Sequence, residues 1–382
     1  MTTIPAALAA LDVDGSRCTA REIAAQPRVW RDLGVLIEAA RPRLDATIAP
    51  LLRRDEVRVV LTGAGTSAHI GETLAPAASR RLGRPIEAIA TTDLVSAPLS
   101  AFAGNRPTLL VSFARSGGSP ESLAATRLAD QCLSEVHHLV ITCDPAGALH
   151  IEHSDAERST VLLMPSQAND RGFAMTSSYT SMLLAGWLAL TGGSATAVTQ
   201  RAAAAAESLL ASRTDAVRSL ALGGPGRVVY LGSGALRGAA RESALKMLEL
   251  TAGRVTPTYD TPMGFRHGPK AILDAATLVV VLLSGDPYTR TYDQDVVSEL
   301  RADLSPGQVL VLGSAPGATP SDWDVPGLDG MDDAVLAAVA VLVPQMLALF
   351  SSVAQGCTPD NPFPSGRVNR VVRGVTIHPL AS

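Results

Sequence analysis

Glu242, Lys246 and Glu249 stand at i, i+4 and i+7 in the run R-E-S-A-L-K-M-L-E-L, a spacing that sends three side chains out of one face of a helix. Two carboxylates and an ammonium held together suit proton transfer at carbon. A histidine on a nearby loop, His267 in G-F-R-H-G-P, would add a further acid/base group. The same spacing has a plainer reading. Glu242 followed by Lys246 is also the favoured orientation of a solvated i, i+4 ion pair. The residue types alone leave both readings open.

The elements that must carry these residues are legible. Good helix formers run from Ala239 to Leu250, and Gly253 and Pro257 end the run. When V-V-Y-L-G-S-G at 228–234 is laid on V-V-L-T-G-A-G at 59–65, T-L-V-V-V-L at 277–282 falls on T-L-L-V-S-F at 108–113. Q-V-L-V-L at 308–312 then comes close to H-L-V-I-T at 138–142. Short β-branched runs alternating with helical stretches predict parallel strands covered on both faces. The expected fold is therefore α/β, with two tandem doubly wound parallel-sheet domains at 46–195 and 200–355. Residues 1–45 read as a helical segment, with Thr19 a candidate N-cap and Glu22 three residues on. Residues 356–382 are too rich in Pro and Gly for another core element.

Ligands of such sheets sit beyond the carboxyl ends of the strands, where helix N-termini offer free N–H groups. Two turns qualify. T-G-A-G-T-S-A supplies Gly65, Thr66 and Ser67, and A-R-S-G-G-S-P-E-S supplies Arg115, Ser116, Ser119 and Ser122. Hydroxyls, glycines and one guanidinium make a cradle for a single phosphate group. Ser119 before Pro120 also reads as a helix N-cap, which uses the same helix end. A dinucleotide fingerprint is the weaker reading, because the third glycine is missing and the nearest acidic residue, Glu87, is poorly placed.

Composition narrows the classes further. With 47% hydrophobic residues and only 4% aromatic, the core must be aliphatic, and a net charge of −4 offers no electrostatic case for nucleic acid or an anionic membrane. Four scattered cysteines and an N-terminus without the basic region of a secretory signal fit a reduced, cytoplasmic protein. The apolar run Ala334–Phe350, interrupted by Pro344 and Gln345, is expected to be a buried helix short of a bilayer span. The seven histidines form no ligand cluster, so neither a metal nor another cofactor is expected.

G-A-G-T-S at 63–67, S-G-G-S-P-E-S at 116–122, G-F-A-M-T-S-S at 172–178, E-S-A-L-K-M-L-E at 242–249 and G-F-R-H-G-P at 264–269 resemble, in this order, the sugar isomerase (SIS) domain family. That family builds phosphosugar isomerases and binding proteins from tandem flavodoxin-like units. D-R-G-F-A-M-T-S-S and the tail V-N-R-V-V-R-G-V are similar to the stand-alone AgaS-type group. Its members are described as galactosamine-6-phosphate deaminases or tagatose-6-phosphate ketose/aldose isomerases.

The resemblance implies that Glu249 moves a proton between C1 and C2 and that His267, donated by a neighbouring subunit, opens the sugar ring. It makes Glu242 and Lys246 supporting groups and places Thr66, Ser67, Ser116 and Ser119 on phosphate-loop positions. It also implies a homo-oligomer with shared active sites, acting on a small phosphosugar. The pattern departs from glucosamine-6-phosphate synthase at Ala114 and Arg115, where that family has Ser-Gln, and near Arg373, where it has a lysine. No glutaminase domain is expected here. Other phosphosugar isomerases, a deglycase and a non-catalytic sugar-phosphate sensor remain as alternatives.

Overall fold

Two sheets of parallel strands carry the two repeats. The computed structural model describes residues 4–314, 323–372 and 374–380. The first sheet holds β1 (Arg58–Thr62), β2 (Glu87–Ala88), β3 (Thr108–Ala114), β4 (Val136–Thr142) and β5 (Ser159–Leu163), in the order β2-β1-β3-β4-β5. The second holds β6 (Arg227–Gly232), β7 (Thr256–Asp260), β8 (Thr277–Leu282), β9 (Val309–Gly313) and β10 (Trp323–Asp324), in the order β10-β9-β8-β6-β7. Read from β7, the second order repeats the first, so the duplication seen in the sequence extends to topology. Every pairing is parallel.

Alternation along each strand sorts the aliphatic residues. Val59, Leu61, Leu109, Val111, Val228, Tyr230, Leu278 and Val280 face one continuous core that runs between the sheets. Val60 and Leu110 face a second cluster outside the first sheet, and Val229 and Val279 face a third outside the second sheet. The central core is filled by helices, chiefly Arg17–Thr47, Thr66–Leu82, Ser177–Thr191, Ala195–Leu222 and Ala235–Leu250. Apolar surface thus locks the helix bearing Glu249 against the first repeat.

Four details differ from expectation. Thr19 is not the N-cap: its helix begins at Arg17, after Ser16. Asp360 from the tail instead accepts the Cys18 and Thr19 backbone N–H groups at 2.9 and 2.8 Å, and the Thr19 hydroxyl at 2.8 Å. The tail also contributes to packing, since Ile377 and Leu380 join the outer cluster of the first sheet. The helix bearing Glu249 does end at Leu250, ahead of Gly253 and Pro257, but Pro257 itself lies in a strand, β7; a proline is tolerated there because β7 is an edge strand. Finally, Asp333–Ala354 does have the length and apolarity to cross a membrane, but residues 334–352 of it are buried inside the protein. Gln345 in that stretch accepts a hydrogen bond from Gln26 Nε2 at 2.7 Å, which a core, not a lipid face, provides.

Glu22 pins the loop that follows Asp170 by accepting the backbone N–H groups of Arg171 and Gly172. Burial, with the nearby charge of Asp170, pushes its carboxyl up from 4.5 to about 7. A carboxyl raised in the folded state binds its proton more tightly there than in the unfolded chain. It therefore removes stability as pH rises from about 4.5 through about 7. Glu22→Gln should accordingly gain thermal stability relative to wild type between pH 5.5 and pH 8.5, as read by unfolding curves at each pH. Parallel curves for the two proteins would contradict this assignment.

Candidate functional site

The chain leaves β1 through Gly63 and Gly65 into the helix Thr66–Leu82. Gly63 is required by close approach, since a Cβ there would stand 2.5 Å from the Ser67 carbonyl carbon. Gly65 has φ 56°, a left-handed conformation that suits glycine. Against this helix lies Ala235–Leu250, and Gly238 makes the contact: a Cβ added there would come 2.5 Å from the Thr73 backbone nitrogen. The two helices can therefore touch, and the polar face of one reaches the first turn of the other.

At that junction Glu242 Oε1 accepts the Thr66 hydroxyl at 3.2 Å and lies 3.3 Å from Lys246 Nζ. Glu242 Oε2 is 2.8 Å from His69 Nδ1. Lys246 Nζ also donates to Thr66 Oγ1 at 3.0 Å and to Glu249 Oε2. The solvated-surface reading fails, because Glu242 and Lys246 are each 1% exposed. Burial works against the lysine charge, yet Glu242 and Glu249 outweigh it and hold its pKa above the ordinary value. Glu249 is partly open, with its side chain 24% exposed. Its Oε1 has no hydrogen-bond partner among the described residues.

β1 and β3 are neighbours, with Thr62 opposite Ser112, so the two hydroxyl-bearing turns emerge side by side. The Ser67 hydroxyl makes no hydrogen bond among the described residues. Ser116 Oγ accepts only the Gly118 N–H, at 3.4 Å. Ser119 caps the helix Pro120–Cys132 and bonds the Ser122 hydroxyl at 2.7 Å. Arg115 is 6% exposed; one end of its guanidinium donates to the Arg370 carbonyl at 2.9 Å, and Nη1 has no partner. Burial and the charge of Arg370 lower its pKa, while Asp170 and Glu249 act in the opposite sense, which places Arg115 within electrostatic reach of Glu249. Arg373 lies outside the described residues.

The corresponding turns of the second sheet are already engaged. Asp293 accepts the Ser233 hydroxyl and the Ser284 N–H, and Asp333 accepts the Ser284 hydroxyl and the Gly285 N–H. The chain's own carboxylates there occupy donors like those the first sheet leaves open. Glu87, the weak dinucleotide candidate, is paired with Arg58 at 2.6 Å.

His267 makes no hydrogen bond or ion pair with Glu249 among the described residues. Its turn lies between the short helix Pro262–Phe265 and Pro269, and its exposed ring has no hydrogen-bond partner among the described residues. Two functional candidates escaped the sequence reading. His69 sits three residues after Thr66, a helical spacing that signals a shared face. Asp170, in the D-R-G-F run, accepts the N–H groups of Thr176, Ser177 and Ser178 at 2.9 Å each and so fixes the start of the helix Ser177–Thr191. Among the described residues, no group of three or more His, Cys, Asp or Glu side chains is placed to hold a metal ion.

The SIS domain pattern matches residues 51–192. A Streptomyces coelicolor protein with the provisional name D-galactosamine-6-phosphate deaminase AgaS is 53% identical over 388 residues, covering all of both chains. D-galactosamine-6-phosphate deaminase AgaS of Escherichia coli is 44% identical over 366 residues, covering 94% of this chain and 95% of its own. The crystal structure of tagatose-6-phosphate ketose/aldose isomerase from Escherichia coli superposes with a TM-score of 0.86 at 41% identity, over 100% of both chains. With its duplicated parallel sheets and this full-length similarity, the chain belongs to the AgaS-type branch of the SIS domain family.

Proposed function

We propose that this protein is a phosphosugar deaminase that converts D-galactosamine 6-phosphate and water to D-tagatose 6-phosphate and ammonia. The observation that carries the chemistry is the buried Lys246, which holds one oxygen of Glu249 and leaves the other free beside two hydroxyl-bearing turns. Ser67, Ser116 and Ser119, with Arg115, anchor the phosphate and so orient the sugar. His267 of a second copy shuttles a proton between the anomeric hydroxyl and the ring oxygen, opening the pyranose. Glu249 then takes the C2 proton, forming an enolamine, and returns a proton to C1. The product is an imine at C2, which water hydrolyses to the ketose and ammonia. On a 2-hydroxy sugar the same groups stop at aldose–ketose isomerisation. The isomerase name of the superposing Escherichia coli structure favours that as the second reading. We place the enzyme in the cytoplasm as a dimer or higher homo-oligomer with shared sites.

The phosphate reading is tested by steady-state kinetics. Alanine at Ser67 or Ser116 should raise KM for the 6-phosphate with a smaller effect on kcat, and inorganic phosphate should compete with substrate. Ser119→Ala should add a stability loss of about 1 kcal/mol, because Ser119 also caps a helix. Equal efficiency with unphosphorylated galactosamine would contradict the cradle.

A further inference from the structure

We infer that His69 is a positioning residue for proton transfer: it anchors Glu242, and through the shared Lys246 it sets the placement of Glu249. The inference rests on the proposed role of Glu249. His69 is 6% exposed and Glu242 1%, and His69 Nδ1 lies 2.8 Å from Glu242 Oε2. A carboxylate oxygen only accepts, so Nδ1 carries the proton and donates. Glu242 Oε1 is taken by Thr66 at 3.2 Å and by Lys246 at 3.3 Å. With both oxygens held, Glu242 has none left for a substrate. Glu249, by contrast, has one oxygen held and one free. The two carboxylates thus divide into a support and a reacting group.

Lys246 has three N–H donors, and Thr66, Glu242 and Glu249 take them. Removing His69 leaves a buried carboxylate oxygen without a donor, a costly state that the surroundings must relieve. Other side chains close by are already committed. The Tyr179 hydroxyl is 3.2 Å from Thr73 Oγ1, and Arg241 pairs with Glu72. Lys246 is the mobile donor within reach, so it turns toward Glu242 and loosens its hold on Glu249. The sequence supports this chain of contacts, since His69 is three residues from Thr66 and Lys246 four from Glu242, each pair on one helix face.

The test compares His69→Ala with His69→Asn, whose side-chain N–H group can stand near the position of Nδ1. Ammonia release from galactosamine 6-phosphate is followed at steady state. His69→Ala should lower kcat by about thirtyfold with KM within about twofold, a scale usual for misplaced reacting groups. His69→Asn should recover kcat to within about threefold of wild type, because the donor to Glu242 returns. In a Glu242→Gln background, losing His69 should cost little more, since the two act as one unit. If the alanine protein does not fold, His69→Leu, which fills the ring volume without a donor, replaces it. Wild-type kcat in the alanine or leucine protein, equal losses in the asparagine and donor-free proteins, or full additivity with Glu242→Gln would each overturn the inference. If wild type itself releases no ammonia, the substrate reading has failed. The same comparison is then made on deuterium exchange at C2 of glucose 6-phosphate and galactose 6-phosphate, so the two failures stay distinct.

Discussion

Glu249→Gln is expected to lower turnover of galactosamine 6-phosphate at least about a hundredfold, the usual scale for loss of a general base. The amide can still accept a hydrogen bond from Lys246, so the buried cluster of Thr66, Glu242 and Lys246 should keep its arrangement. Substrate KM and the unfolding temperature should therefore change little. That pattern separates chemistry from folding, because a variant that lost its fold would lose binding as well. Turnover near wild type would remove Glu249 from the mechanism. The contrast with Glu242 follows from burial: Glu249 is the carboxylate of this helix with solvent access, at 24% side-chain exposure.

His267→Ala should have the second large effect, selective for the closed sugar. Ring opening needs a proton shuttled between the anomeric hydroxyl and the ring oxygen, and no later step needs that shuttle. The variant should lose about a hundredfold or more on the cyclic substrate and much less on an open-chain analogue. His267 is proposed to serve the site of a neighbouring copy; its exposed ring makes no hydrogen bond among the described residues of its own chain. Mixing Glu249→Gln and His267→Ala proteins under subunit exchange should restore part of the activity, since a hybrid dimer would contain one intact site. No recovery despite demonstrated exchange would place both residues in one chain.

The polar face of Glu242, Lys246 and Glu249 was legible because helical spacing alone aligns the three residues. Its burial was not, since that depends on Gly238 letting a second helix approach from a distant part of the chain. The duplicated sheets were legible for a similar reason: the aliphatic runs of 59–65 and 228–234 recur with the same strand and turn pattern. Thr19 misled because a capping box is a local signal, whereas its helix end is satisfied by Asp360 from the far end of the chain. His69 was passed over because its partner lies in the other repeat. The run 334–350 is buried as expected, but its length as a run understates the helical stretch it belongs to. The helical stretch extends past the run to 333–354, long enough for a membrane, and only the surrounding core, including Gln26, distinguishes it.

The most direct measurement is product analysis with D-galactosamine 6-phosphate in deuterated water. Ammonia and the ketose 6-phosphate should appear in a one-to-one ratio, with deuterium at C1 of the ketose wherever solvent exchanges with the proton carried by Glu249. Galactose 6-phosphate should give at most isomerisation and no ammonia. Ketose formation from galactose 6-phosphate, with no ammonia from any hexosamine 6-phosphate, would contradict the deaminase assignment.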